Sequence, residues 1–225
     1  MKPLSMHVTA DSLHVRTDAS RESESLGFLH RGLAIAATEI DGTGTWAKVT
    51  ANGVDGWCSL KYLLPAGAER SPWLAVAQKE IGVKEVSGSG DHPRILEYMA
   101  TVDGLSGQQD EIAWCSCFVN WCVEKSGHNG TNSAMAQSWN RWRNGKSAES
   151  VLAGSDTPAQ VGDIAVGQRK SAESGLGHVG FFMAYDQDEK KLLILGGNQS
   201  NAVRYQWYPF ASANPYGRLL SLRSL

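Results

Sequence analysis

Three of the four cysteines, Cys115, Cys117 and Cys122, fall within eight residues, and Cys58 stands far upstream. On a segment that reads as helix, Cys115 and Cys117 project about 200° apart, so they cannot share a metal ion or a disulfide. The spacing also lacks the paired form of zinc sites, and no histidine lies nearby at a ligand spacing. Reduced thiols with one special member fit this pattern better. Cys115 opens the helical run, and a helix N-terminus favours negative charge. That lowers a thiol pKa from about 8.5 into the range where thiolate exists at neutral pH. The plainer alternative is that Cys115 is a small buried hydrophobe.

A thiolate nucleophile needs an imidazole, and the imidazole needs an orienting partner. Of six histidines, His7, His14 and His30 lie in an N-terminal stretch of short strands, while His92 and His128 sit at helix ends beside Pro93 and Gly127. His178 differs, because it begins the apolar strand His178-Val179-Gly180-Phe181-Phe182-Met183. The next strand ends in Gly196-Gly197-Asn198-Gln199. A hairpin between the two returns Asn198 or Gln199 beside His178, where an amide oxygen would hold the ring tautomer. His178 stands eight residues before Asp186, and Asn198 eight after Lys190. Equal hairpin arms therefore put Asn198 opposite His178 and turn Gln199 to the other face.

These residues need elements to hold them. Residues 6–64 read as short strands: Leu13-His14-Val15-Arg16 and Trp46-Ala47-Lys48-Val49 alternate, and Asn52-Gly53 is a hairpin signal. Sixty residues of short strands with tight turns predict a small all-β barrel over 1–65. Residues 66–72 read as a linker without apolar period, ending in Ser71 as N-cap and Pro72. Helices are expected from Trp73 to Gly82, Pro93 to Val102, Cys115 to Ser126 and Ser133 to Asn144. Strands follow: Asp163 to Val166, His178 to Tyr185, and Lys191 to Leu195, the last two joined by a polar turn at Asp186–Lys190. Helices followed by an antiparallel sheet make residues 73–225 an α+β domain.

The first segment resembles bacterial SH3-like domains in Leu13-His14-Val15-Arg16, Trp46-Ala47-Lys48-Val49, Gly56-Trp57 and Leu60-Lys61-Tyr62-Leu63. That resemblance implies a wall-binding module or a passive scaffold, with Trp46 and Trp57 read as packing residues. Further on, Trp-Cys-Ser-x-Phe-Val-Asn-Trp around Cys115, Val161-Gly162-Asp163-Ile164, Gly177-His178-Val179-Gly180 and Gly196-Gly197-Asn198-Gln199 occur in order. Together they resemble the papain-like cell-wall cysteine hydrolases of the NlpC and CHAP superfamily. The resemblance implies Cys115 as nucleophile, His178 as base and a polar residue after the next strand, Asn198, as orienter. It also implies cleavage of an amide bond in peptidoglycan, in the peptide stem or at the muramoyl linkage, without a cofactor. NlpC-type enzymes commonly carry Asp before the cysteine; Trp114 stands there in this chain, which leans toward the Trp-Cys branch.

Other residues are weaker candidates. Asp110 and Glu111 read as helix-start acids or substrate contacts, and Trp114, Trp139 and Trp142 as core or groove lining. Asp186 and Asp188 lack calcium-loop spacing and read as a solvated turn.

With 225 residues, 42% hydrophobic and a net charge of −2, the chain has no basic field to draw it to nucleic acid or anionic lipid. No apolar run approaches a membrane span, and the first residues hold no signal-peptide core. The expectation is a monomer made in the cytosol that meets peptidoglycan after non-classical release. It would serve as a phage lysin, or as a contact-dependent antibacterial effector paired with an immunity protein. Two rival readings keep the fold: an inactive wall-binding scaffold, and an acyltransferase or deamidase acting on proteins.

Overall fold

The structure is a computed structural model that describes residues 2–86, 90–105, 112–147, 158–169, 176–209 and 218–225. Its N-terminal part holds seven strands: β1 Leu4–Val8, β2 Ser12–Arg16, β3 Ser25–His30, β4 Ala34–Ile40, β5 Trp46–Ala51, β6 Val54–Ser59 and β7 Leu63–Pro65. They pair in the order β3-β2-β6-β5-β4-β1-β7. Period-2 alternation decides which side faces in. Met6 and Val8, Leu13 and Val15, Ile35 and Ala37, and Ala47 and Val49 are all buried, with more exposed residues between them. Asn52 and Gly53 both take positive φ, the two left-handed residues that a tight β5–β6 hairpin requires.

The C-terminal part places three helices, α1 Trp73–Lys79, α2 Pro93–Met99 and α3 Cys115–Lys125, on a six-stranded sheet. Its strands are β8 Asn144–Ser147, β9 Ile164–Gln168, β10 Gly177–Asp186, β11 Lys191–Gly196, β12 Arg204–Pro209 and β13 Arg218–Ser224. The order is β12-β11-β10-β9-β13-β8. The expected α+β arrangement after an all-β region is present.

Helix α3 lies at the centre, and residues Cys115 to Val123 are all buried. The helix is therefore packed on every side over about two and a half turns. Phe118 meets Phe181 of β10 at 6.1 Å between ring centroids, while Tyr98 of α2 meets Phe118 at 5.3 Å and Trp121 at 5.1 Å. Gly127 ends the helix with φ +85°.

Two helical expectations are corrected. Residues 133–144 do not form an α-helix: a 3-10 turn covers Ala136–Arg141, and β8 begins at Asn144. The local sequence is rich in Ser, Asn and Trp, which favour helices weakly. The Asn140 side chain instead accepts from Ser221 Oγ at 2.6 Å, and β8 pairs with β13. Ser71 does not cap α1, since its hydroxyl turns to the Val161 carbonyl at 3.4 Å.

Residues 66–72 do not form a free tether. A 3-10 turn spans Ala68–Arg70, Ala68 is buried, and one continuous hydrophobic cluster runs from the barrel into the α+β part. Polar contacts reinforce it. Gln78 of α1 donates from Nε2 to the Leu60 and Leu63 carbonyls of the barrel and accepts at Oε1 from the Tyr205 hydroxyl at 3.0 Å. Tyr205 N–H also bonds the Gly44 carbonyl at 2.9 Å.

Candidate active site

The site is assembled from the N-terminus of α3, the start of β10 and the chain just after β11. Trp114 precedes the helix as its N-cap and is wholly buried, its indole N–H bonded to Glu85 Oε1 at 2.7 Å. It is a core residue, as are Trp139, whose indole donates to Ser116 Oγ at 2.9 Å, and Trp142, whose indole donates to the Asn129 carbonyl at 3.0 Å. The first helical N–H bond is Phe118 to the Trp114 carbonyl, so the N–H groups of Cys115, Ser116 and Cys117 have no partner inside the helix.

Cys115 is 6% exposed, whereas Cys58, Cys117 and Cys122 are all at 0%. All four are free thiols. The Cys115 sulfur accepts from the Val179 N–H, which places it beside the residue that follows His178. Its titration differs from the expectation. Burial pushes the thiol pKa up, and this outweighs the Val179, Ser116 and Cys115 N–H groups and the nearby Arg169 charge, which all favour thiolate. The helix N-terminus alone does not produce a resting thiolate, because desolvation costs more than the terminal dipole returns.

His178 is 9% exposed, and burial drives its pKa down to about 4, with Arg169 acting in the same direction. The ring is thus neutral at neutral pH, and its tautomer is determined by Gln199. The Gln199 amide nitrogen donates to the Ile194 carbonyl at 3.3 Å and to the Arg204 carbonyl. Those two bonds orient the amide, so its Oε1 is the atom that faces His178 Nε2 at 3.0 Å. Nε2 must then carry the proton, leaving Nδ1 as the basic nitrogen.

This corrects the expected orienter. Asn198 does not bond the imidazole; Gln199, 1% exposed, does. One feature breaks the equal-arm count. The β10–β11 register is Tyr185↔Leu192 near the turn, and a bulge between Phe182 and Ala184 shifts it to Phe182↔Ile194, which carried onward would still set Asn198 opposite His178. Strand β11 then ends at Gly196, and Asn198, Ser200 and Asn201 all take positive φ. Side-chain alternation stops where the strand does, so the amide of Gln199 swings in where Asn198 was expected.

The glycines of these motifs have a steric cause. A Cβ at Gly197 would lie 2.5 Å from the Trp114 ring and 2.7 Å from Phe118 Cβ, and one at Gly180 would lie 2.9 Å from the Leu195 carbonyl. Only bare backbone lets the β11 end approach α3 this closely. Other motif residues prove structural. Asn120 accepts at Oδ1 from the Thr131 and Asn132 N–H groups at 2.7 and 3.0 Å, fastening the loop after α3. Asp163 pairs with Lys146 at 3.2 Å.

Tyr208 was not anticipated from the sequence. Its hydroxyl stands 3.3 Å from His178 Nε2, and it arrives from a strand with no local signal. The positive charge of Arg169 acts on Tyr208 as it does on His178 and Cys115. Asp110 and Glu111 lie outside the described residues. Asp186 closes its turn by accepting from the Asp188 and Glu189 N–H groups, each at 3.1 Å. Among the described residues, no three His, Cys, Asp or Glu side chains converge as a metal-binding group. None of the helices among them is long and apolar enough to cross a membrane. On the barrel, a cavity of about 180 Å³ is lined by Arg16, Arg21, Trp46 and Tyr62, among others.

Comparison with known proteins gives two family matches. Residues 107–198 match the CHAP domain, and residues 11–63 match the bacterial SH3 domain. No curated protein matches the chain. Among solved structures, NlpC2 from Trichomonas vaginalis is similar at 14% identity and TM-score 0.37, over 99% of this chain and 72% of that one. An NlpC/P60 family protein from Bacillus cereus is similar at 11% identity and TM-score 0.38, over 99% of this chain and 63% of that one. An NlpC/P60 endopeptidase from Photobacterium damselae subsp. piscicida is similar at 11% identity and TM-score 0.35, over 98% and 71%.

Proposed function

We propose that the chain, whose residues 11–63 match the bacterial SH3 domain and 107–198 the CHAP domain, is a cysteine hydrolase cleaving an amide bond of peptidoglycan. The observation that carries this reading is His178 held at Nε2 by Gln199, at the head of the strand whose next residue, Val179, acts on the sulfur that opens α3. A buried thiol and a neutral imidazole form a general-base pair rather than a preformed ion pair.

His178 Nδ1 takes the Cys115 proton as the sulfur attacks the substrate carbonyl carbon. The carbonyl π electrons move to oxygen, which the N–H groups at the start of α3 receive. The C–N bond then breaks, the imidazolium returns its proton to the leaving amine, and a thioester remains. Water repeats the sequence: His178 takes its proton, hydroxide adds to the thioester, and the sulfur departs and recovers the proton. No cofactor enters. Gln199 holds the ring throughout, taking the role first assigned to Asn198.

The barrel cavity, with two arginines and two aromatic rings, supports a wall-contacting role for the SH3 domain. The same chemistry would serve a bacteriolytic protein, released as a lysin or exported as an effector. The test is digestion of purified sacculi by the full chain with mass spectrometry of the released muropeptides. A new amine and carboxyl at one stem or muramoyl amide is the expected product. Cys115→Ala should reduce release at least roughly 1,000-fold, while Cys117→Ala, buried in the core, should retain it. Undiminished release by a folded Cys115→Ala protein would overturn the mechanism.

A further inference from the structure

Tyr208 reaches His178 from β12, 30 residues later in the chain, and neither the motifs nor the Cys–His–amide arrangement accounts for it. Its hydroxyl lies 3.3 Å from Nε2, the nitrogen that Gln199 Oε1 meets at 3.0 Å. The two rings stand 5.1 Å apart and are tilted by 32°. The neutral imidazole has a single N–H, and two oxygens stand within reach of it. The ring also covers a face of the imidazole, which is 9% exposed.

We propose that Tyr208 is a positioning residue for His178: its ring keeps water off the imidazole, and its hydroxyl oxygen shares the Nε2 proton with Gln199. For its catalytic meaning this rests on the hydrolase reading. When Nδ1 takes the thiol proton, the N–H at Nε2 becomes a charged, stronger donor. Among the described residues, the charged and titratable groups that act on His178 or Tyr208 are Arg169 beyond the end of β9, Arg204 on β12 and Cys115 at the start of α3. Among the described residues that act on His178 there is no carboxylate. Two neutral oxygens therefore receive the transient imidazolium, which is stabilised enough to form and readily gives its proton to the leaving amine.

Ring and hydroxyl have separable consequences. Burial holds the His178 pKa near 4, and admitting water must raise it toward the ordinary value of about 6.5. Removing the hydroxyl alone takes away an acceptor that favours the charged ring, so the pKa stays or falls. The experiment is NMR titration of the His178 ring in the full chain, with Tyr208→Ala and Tyr208→Phe each on a Cys115→Ala background. It is joined to kcat and KM on muropeptides for the same two variants with Cys115 intact. Tyr208→Ala should raise the titration by about one unit or more and carry the acid limb of kcat with it. The near-isosteric Tyr208→Phe should leave the titration in place or lower it, with kcat reduced roughly 3- to 10-fold and KM unchanged. An unmoved titration in Tyr208→Ala, or wild-type kcat in Tyr208→Phe, overturns the proposal. A wild-type chain without muropeptide turnover, but with the titration shift present, defeats the hydrolase reading and supports the positioning one.

Discussion

A glutamine serves here where an acid or a histidine would also hold an imidazole, and the difference is electrostatic. Gln199 is neutral, so it orients the ring without raising its basicity as a carboxylate would. It is also over-determined: three hydrogen bonds, to His178, Ile194 and Arg204, use one small buried amide. Replacing Gln199 by Ala frees the ring tautomer and leaves two carbonyls with a lost partner. The expected result is a fall in kcat of roughly 10- to 1,000-fold, with about 1–3 kcal/mol of stability lost. Asn198→Ala, at a half-buried left-handed position without a bond to the ring, should change kcat less than about threefold. Steady-state kinetics with a chemical denaturation curve for each variant decides between the two residues. His178 also links folding to pH. Its folded pKa, about 4, lies below the ordinary value of 6.5. The contribution is therefore complete above pH 6.5 and is lost as pH falls toward 4, where the unfolded chain binds a proton that the folded one refuses. The loss should be on the order of 3 kcal/mol. It is read as the stability difference between wild type and His178→Gln across that window, and a difference independent of pH would contradict it.

The elements hold the site by close approach. Helix α3 presents its first turn to β10 and to the end of β11, and the approach depends on glycine where side chains would collide. Gly197→Ala should therefore cost about 1–3 kcal/mol by overpacking against Trp114 and Phe118. Because those residues flank Cys115, it should lower activity even under conditions where the protein remains folded. A thermal melt paired with a rate measurement at low temperature checks both halves. Gly82, by contrast, has φ +92° and open space around its missing Cβ, so its glycine serves backbone conformation alone.

The two domains are joined through packed surfaces. Gln78 bridges the barrel carbonyls and Tyr205, and Gly44 touches the Tyr205 backbone so closely that a Cβ there would lie 2.0 Å from its carbonyl oxygen. Residues 73–225 should therefore depend on the barrel. Tyr205 lies in the strand that carries Tyr208, so the barrel supports the site from behind. The full chain should unfold in one cooperative transition by calorimetry. Gly44→Ala, strained at φ +67° as well as crowded, should lower the midpoint by several degrees, on the order of 1–3 kcal/mol. Removal of residues 1–65 should reduce activity on soluble muropeptides as well as on sacculi. Two resolved transitions, or full activity of the truncated chain on muropeptides, would contradict that dependence.

Much of the site is legible in the amino-acid order because local rules govern it. The start of α3 at Cys115, its stop at Gly127, the Asn52-Gly53 hairpin and the placement of His178 at the head of a strand all depend on neighbours within a few residues. The all-β then α+β division follows from periodicity in the same way. What the chain order could not express is long-range. The end of β11 at Gly196 and the left-handed chain after it exchange Asn198 for Gln199 at the imidazole, because side-chain alternation holds only as far as the strand does. Burial raises the Cys115 thiol against its helix dipole, since desolvation is set by everything that packs around the sulfur. Tyr208 meets His178, and Gln78 meets the barrel, only once distant strands and domains close on each other. Local chemistry names the reacting groups; the fold sets their protonation, their partners and the direction each one faces.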